Sequence, residues 1–93
     1  VENPSCFVGL PAIGSACGTH LHGIGFGSHD FCAAMGMKHD PEHVRFYTKH
    51  LVLFAKALGV AYVDGVDTNV RDLSGFIEDC RFAFDAGADG KFV

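Results

Sequence analysis

Ninety-three residues carry a net charge of −4, seven Lys and Arg against eleven Asp and Glu, with no basic run and no aromatic-basic interleaving, which excludes a nucleic-acid surface and gives no attraction to an anionic membrane. No apolar stretch approaches the roughly 18–20 residues of a membrane span, and no signal-peptide pattern is visible. With 48% hydrophobic and 19% charged residues, the chain is globular and richer in apolar surface than so small a domain can hide, so it is expected to be a portion of a larger folded unit.

In chain order, Val1 and Glu2 read as the end of a strand that Pro4 stops. Residues 11–17 read as a short helix, with Pro11 in its first turn, Ile13, Ala16 and Cys17 on one face, and Gly18 at its end. A strand is expected over 21–27, placing Ile24 and Phe26 on one face and Gly23, Gly25 and Gly27 on the other. An all-glycine face implies that something packs close against it. Gly25-Phe26-Gly27-Ser28-His29-Asp30-Phe31 then delivers the Asp30 carboxylate into a loop.

Asp40-Pro41-Glu42 is a strong helix start, with a capping side chain, a proline suited to the first helical position and an acid at the positive end of the dipole. The helix is expected to run to about Leu58, with Val44, Tyr47, Leu51, Phe54, Ala55 and Leu58 as its apolar face and Gly59 closing it. Residues 60–64 form a short apolar strand ending in Asp64-Gly65-Val66-Asp67. The last helix has candidate caps at Thr68 and Asn69 and Asp72 in its first turn. Leu73, Phe76, Ile77, Cys80 and Phe84 follow at helical spacing, the Phe and Leu positions as core, and Gly87 ends the helix. Asp89-Gly90 turns the chain into Lys91-Phe92-Val93, the start of a further strand, and Lys91 at its entry reads as structural.

Alternating strands and helices joined by connections of this length mean a parallel sheet with helices packed over it. A doubly wound sheet and a (β/α)8 barrel both satisfy the pattern, and the chain holds about three and a half β/α units, where a whole barrel needs about 250 residues. In either architecture the active-site groups gather at the C-terminal ends of the strands. Glu2, Asp30 and Asp64 all fall there, and Glu2 and Asp30 are read as two acidic metal ligands. The four cysteines, Cys6, Cys17, Cys32 and Cys80, form no C-x-x-C pair and sit among apolar neighbours, so free thiols and a reducing, cytoplasmic compartment are expected. An organellar targeting peptide ahead of Val1 would not be visible.

Val1-Glu2-Asn3, Gly27-Ser28-His29-Asp30-Phe31 with Met35-Gly36, Asp64-Gly65-Val66, Arg71-Asp72-Leu73-Ser74-Gly75-Phe76 and Gly87-Ala88-Asp89-Gly90-Lys91, in that order, resemble the citrate lyase beta-subunit and malyl-CoA lyase family across the whole chain. The resemblance implies a partial (β/α)8 TIM barrel, with residues 1–93 as the C-terminal portion of one lyase domain. It implies Mg2+ held by Glu2 and Asp30, a ligand choice that suits a hard ion wanting oxygen donors, with Gly27, Ser28, His29 and Asp64 as substrate-binding positions. The implied reaction cleaves or forms a 3-hydroxyacyl thioester such as malyl-CoA, citryl-CoA or citryl-ACP, giving an acyl thioester and a 2-oxo acid, in a homo-oligomer. The arginine that grips the substrate carboxylate in relatives would lie ahead of Val1, and Asn3-Pro4 stand where Glu-Thr is commoner. The general acid and base are not identified, and the chain by itself is expected to be inactive.

Other readings stay open. A metal-dependent pyruvate-type aldolase would share Glu2 and Asp30, and a non-catalytic α/β piece would bind no metal. Asp64 serves either a ligand or its own loop, and His29 either supports the metal site or sits exposed. His20 with His22, or His39 with His43, could hold a transition metal only if a further pair completed the set. Gly23-x-Gly25-x-Gly27 lies inside a strand and is not a dinucleotide-binding turn.

Overall fold

A computed structural model describes residues 1–66 and 72–93. The elements run α1 (Pro4–Val8), α2 (Leu10–Cys17), a 3-10 turn (Gly18–His20), β1 (Gly23–Gly25), α3 (Ser28–Met35), α4 (Pro41–Leu58), β2 (Ala61–Asp64), α5 (Leu73–Ala86) and β3 (Gly90–Lys91). The three strands form one parallel sheet in the order β1-β2-β3, with Ile24 opposite Tyr62 and Asp64 opposite Lys91. Chain neighbours are therefore sheet neighbours. Right-handed crossovers that always step in the same direction put every crossover helix on the same face, the arrangement of a partial (β/α)8 barrel and not of a sheet wound in both directions.

Local chemistry explains the ends of the elements. Asp40 caps α4 by accepting the His43 N–H at 2.9 Å, and Pro41 fills the first helical position, as predicted. The carboxyl of Asp40 is held below its ordinary value, chiefly by that backbone N–H. Gly36, Gly59 and Gly87 close α3, α4 and α5 in left-handed conformations open to glycine. In each closure the following residue donates back across the last turn, as Val60 N–H does to the Ala55 carbonyl at 2.9 Å.

The core lies between α4 and the sheet. Leu51 and Ala55 are fully buried, and Ile24, Phe26, Phe31 and Tyr62 pack with them. Phe7 joins Phe31, Tyr47 and Phe54 at centroid separations of 5.8, 5.5 and 5.7 Å, tilted on Phe31 and edge-on to Tyr47 and Phe54, and edge-on pairing suits the aromatic quadrupoles. Each fully buried large apolar side chain contributes about 1.5–3 kcal/mol, so this cluster anchors α1, α3 and α4 to one side of the sheet.

Several expectations need correction. Asn3-Pro4 does not merely stop a strand: the Asn3 side chain accepts the Cys6 N–H at 2.8 Å and Pro4 opens α1. The loop expected around Asp30 is the first turn of α3. Only Gly23–Gly25 of the 21–27 stretch pairs as a strand. Asp72 is the N-cap of α5, accepting the Gly75 N–H at 2.9 Å, and does not lie within its first turn. Thr68 and Asn69, the caps expected there, and Asp67 and Arg71 lie outside the described residues. Leu73 and Phe84 are exposed, not core, Phe84 at 78%, because α5 buries only Ala83 against its neighbours. The four cysteines are free thiols. Among the described residues no helix is long and apolar enough to cross a membrane.

Candidate metal and substrate site

Val1 lies alongside β1. Its amino group donates to the Gly25 carbonyl and its carbonyl accepts the Gly27 N–H, both at 2.8 Å, the paired bonds of a parallel ladder. Glu2 is thereby brought to the C-terminal end of β1, and the Asn3 cap turns the chain away immediately afterwards. Asp30 reaches the same place from the other side, carried in the first turn of α3, where a helix favours negative charge.

Both carboxylates line one open cleft of about 670 Å³, together with Ser28, His29, Gly65 and Phe92. Glu2 lies directly on Gly27: a Cβ there would come within 2.5 Å of Glu2 Cγ and 2.9 Å of Oε1. Phe92 packs on Gly25 in the same way, 3.3 Å from where a Cβ would stand. The close approach expected over the glycine face is thus made by an acid and an aromatic ring. Gly27 forms, in effect, the seat of the Glu2 side chain.

Asp64 does not share this cleft. It lines a smaller cavity of about 90 Å³ with Ser28, His29, His39 and Lys91, and its carboxylate is already held. Lys91 Nζ donates to Asp64 Oδ2 and to the Gly65 carbonyl, each at 2.9 Å, and the Tyr62 hydroxyl donates to Asp64 Oδ1 at 3.2 Å. Asp64 and Lys91 side chains are 13% and 12% exposed, so each neutralises the other out of water. Burial, then the Asp64 charge, pushes the Tyr62 hydroxyl above its ordinary value, while a hydrogen bond with Thr48 acts the other way. Lys91 therefore fixes the Gly65 end of β2, which lines the main cleft.

Two residues escaped the sequence reading of the site. His39, ahead of α4, stacks on His29 with ring centroids 3.8 Å apart and planes 5° from parallel, and its Nε2 meets Ser28 Oγ at 2.9 Å. Desolvation by this packing, followed by repulsion from His29, holds the His39 imidazole below its ordinary value. The only signal in the sequence was its spacing from His43, and that pairing is not formed: His43 Nδ1 bonds the Lys38 carbonyl at 2.8 Å. Phe92, beyond β3, is the second. His20 sits in the 3-10 turn and His22 is exposed. Among the described residues no three His, Cys, Asp or Glu side chains gather as a metal-binding group.

The Glu2 and Asp30 donors are all oxygen, both are exposed to the cleft, and Glu2 has a seat that only glycine permits. That set fits Mg2+, which takes one or two carboxylates and fills its octahedron with waters and substrate oxygens.

Residues 1–93 match the family model for HpcH/HpaI aldolase/citrate lyase. The chain belongs to this family. Within the HpcH/HpaI aldolase/citrate lyase relatives, it is 32% identical over 83 residues to the mitochondrial citramalyl-CoA lyase of Rattus norvegicus, covering 87% of this chain and 25% of that protein. It superimposes on RipC from Yersinia pestis with a TM-score of 0.89 at 25% identity, over 98% of this chain and 42% of that one. A malate synthase of Haloferax volcanii, solved as a magnesium/glyoxylate complex, gives a TM-score of 0.84 at 18% identity, over 100% of this chain and 29% of its own, a likeness of fold. The chain thus spans about a quarter of the length of the curated relative it matches.

Proposed function

We propose that this chain is the C-terminal portion of a (β/α)8 lyase domain whose full-length protein, a homo-oligomer, cleaves or forms the carbon–carbon bond of a 3-hydroxyacyl thioester, releasing an acyl thioester and a 2-oxo acid in the cleavage direction. The observation that carries this reading is the convergence of Glu2 and Asp30, from successive β/α units, on one open cleft at the C-terminal end of the sheet. Membership of the HpcH/HpaI aldolase/citrate lyase family supports it, as does the name of the citramalyl-CoA lyase relative.

Glu2 and Asp30 would hold Mg2+. When bound, the ion supplies a hard Lewis acid for the oxygens of a hydroxy or oxo acid. The protein's own part is positional. Gly27 leaves room for the Glu2 side chain, α3 holds Asp30 in its first turn, and Lys91, paired with Asp64, also holds the Gly65 carbonyl at the cleft lining. Ser28 and His29 border the same space and would contact substrate oxygens.

The test is Mg2+-dependent cleavage of malyl-CoA, citramalyl-CoA and citryl-CoA by the full-length protein, beside Asp30→Ala. A Mg2+-dependent release of 2-oxo acid that falls by at least about 10²-fold in the variant supports the reading. Cleavage unaffected by Asp30→Ala contradicts the metal assignment. Activity on pyruvate and an aldehyde, with none on a thioester, moves the protein to the aldolase reaction.

A further inference from the structure

Side chains alternate across a strand, so the residues of β1 that stay out of the core share one face. Ile24 is buried against α4 in that core, which leaves Gly23 and Gly25, with Gly27 beyond them, on the face turned away from the helix. Two side chains rest on this row. Glu2 lies on Gly27, and Phe92 lies on Gly25 with its Cε2 3.3 Å from where a Cβ would stand. They arrive from opposite edges of the sheet. Val1 flanks β1 through its bonds to Gly25 and Gly27, whereas Phe92 follows β3, on the far side of β2. Alternate residues of a strand lie about 6.6 Å apart, so the acid and the ring occupy neighbouring glycine seats along one strand.

The backbone fixes Phe92 in this place. Its N–H donates to the Asp64 carbonyl at 2.9 Å, and Lys91 before it is held by the Asp64 carboxylate and the Gly65 carbonyl. The ring is nevertheless 53% exposed, and it lines the cleft that Glu2 and Asp30 share. Phe26 also lines that cleft but is spent in the core, and Val66 lies beyond the end of β2. Phe92 is thus an open apolar surface on the same row as a metal-ligand candidate, and covering it with an apolar ligand group removes both surfaces from water.

We infer that Phe92 is a specificity-determining residue, its ring receiving the substituent on the hydroxyl-bearing carbon of the substrate, welcoming a methyl group and rejecting a carboxymethyl group. This rests on the lyase reading above and narrows its substrate class. The reacting carbon bears a hydroxyl, a carboxylate, the bond to the thioester half and one further substituent. The two oxygen groups belong at the Glu2 and Asp30 end, and the thioester half, with its bulky carrier, must lead out of the open cleft. The fourth group is left for the neighbouring seat. It is hydrogen in malyl-CoA, methyl in citramalyl-CoA and carboxymethyl in citryl-CoA. A methyl group gains contact with the ring, whereas a second carboxylate would lose water against the negative face of an aromatic.

The experiment compares full-length wild type, Phe92→Ala, Phe92→Leu and Phe92→Gln. Calorimetry measures the Kd of Mg2+, and of pyruvate and oxaloacetate in saturating Mg2+, and kinetics give kcat/KM for citramalyl-CoA and citryl-CoA. Wild type is expected to favour citramalyl-CoA over citryl-CoA and pyruvate over oxaloacetate. Phe92→Ala and Phe92→Gln are each expected to lower both preferences about 10-fold or more, the scale of one methyl group in an apolar pocket. Phe92→Leu, still apolar, is expected to stay within about 3-fold of wild type, and the Mg2+ Kd within about 2-fold throughout. Phe92→Gln against Phe92→Leu decides the matter even where Phe92→Ala does not fold. A wild type that prefers the carboxymethyl substrate, preferences unchanged in Phe92→Gln, equal weakening of both oxo acids, or a Mg2+ Kd that weakens in step overturns the assignment. Failure of the lyase reading is a separate outcome: a folded wild type that binds Mg2+ and oxo acid yet cleaves no thioester, for which the two oxo-acid affinities still decide for or against Phe92.

Discussion

Gly27→Ala is a one-methyl perturbation whose consequence can be worked from the site. The backbone at Gly27 has φ −86 and ψ 77, so a side chain is not refused on conformational grounds. The new Cβ, however, stands 2.5 Å from Glu2 Cγ, 2.9 Å from Oε1 and 3.1 Å from Cδ. Ordinary carbon–carbon contact begins near 3.5 Å, so Glu2 must retreat by about 1 Å. Glu2 is exposed and can swing aside, so the stability change is expected to stay within about 0.5 kcal/mol. A functional constellation tolerates only about 0.5 Å of displacement. Mg2+ affinity is therefore expected to fall about 10- to 100-fold, the scale seen when the support of a metal ligand is removed. Calorimetric titration of Mg2+ into the full-length protein, into Gly27→Ala, Glu2→Gln and the double variant, measures this. The two substitutions act on the same carboxylate, so the double variant is expected to bind no worse than Glu2→Gln alone. Wild-type Mg2+ affinity in Gly27→Ala, or effects that simply add, would refute the idea that Gly27 seats the ligand.

Lys91→Met leaves the Asp64 carboxylate buried without its partner and is expected to cost about 3 kcal/mol in urea unfolding, with Asp64→Asn/Lys91→Met recovering part of that loss. Equal stability of Lys91→Met and wild type would show that the pair contributes nothing. Tyr62 binds its proton more tightly folded than unfolded, so its contribution is intact below the unfolded tyrosine value of about 10 and is lost as pH rises above it. Stability measured from pH 8 to 12 should fall from about pH 10, and Tyr62→Phe should remove that part of the slope. Gly65→Ala places a Cβ 2.8 Å from the Phe26 carbonyl oxygen, a backbone atom that cannot step aside. It is expected to destabilise the protein by about 1–3 kcal/mol, read as a lowered Tm.

Where the cues are local, sequence and structure agree. Asp40-Pro41 starts α4, Gly59 and Gly87 end their helices, and Ile24 and Phe26 turn inward together because strand side chains alternate. Asn3-Pro4 carries the same cap-and-proline signature as Asp40-Pro41, yet α1 is only five residues long, too short for an apolar period to distinguish a new helix from the end of a strand. Gly9 conceals the boundary further, as it closes α1 and opens α2 without leaving right-handed geometry. Asp30 was legible as a ligand candidate from its place after a strand, but not as a helical residue, since Gly27 offers no capping side chain. Phe84 shows the limit of periodicity, which identifies an apolar stripe without saying what it faces. His39 on His29, Ser28 against His39 and Lys91 on Asp64 are tertiary pairings across separate elements. No spacing in the chain encodes their distances.

Diffraction from crystals of the full-length protein soaked in Mn2+ and oxaloacetate, collected for the anomalous signal of the metal, tests the central assignment most directly. One peak is expected in the cleft, within about 2.2 Å of a carboxylate oxygen from Glu2 and from Asp30, with the oxo acid completing the shell beside Ser28. A cleft without metal, or a peak on the histidines with Glu2 and Asp30 unligated, would contradict it.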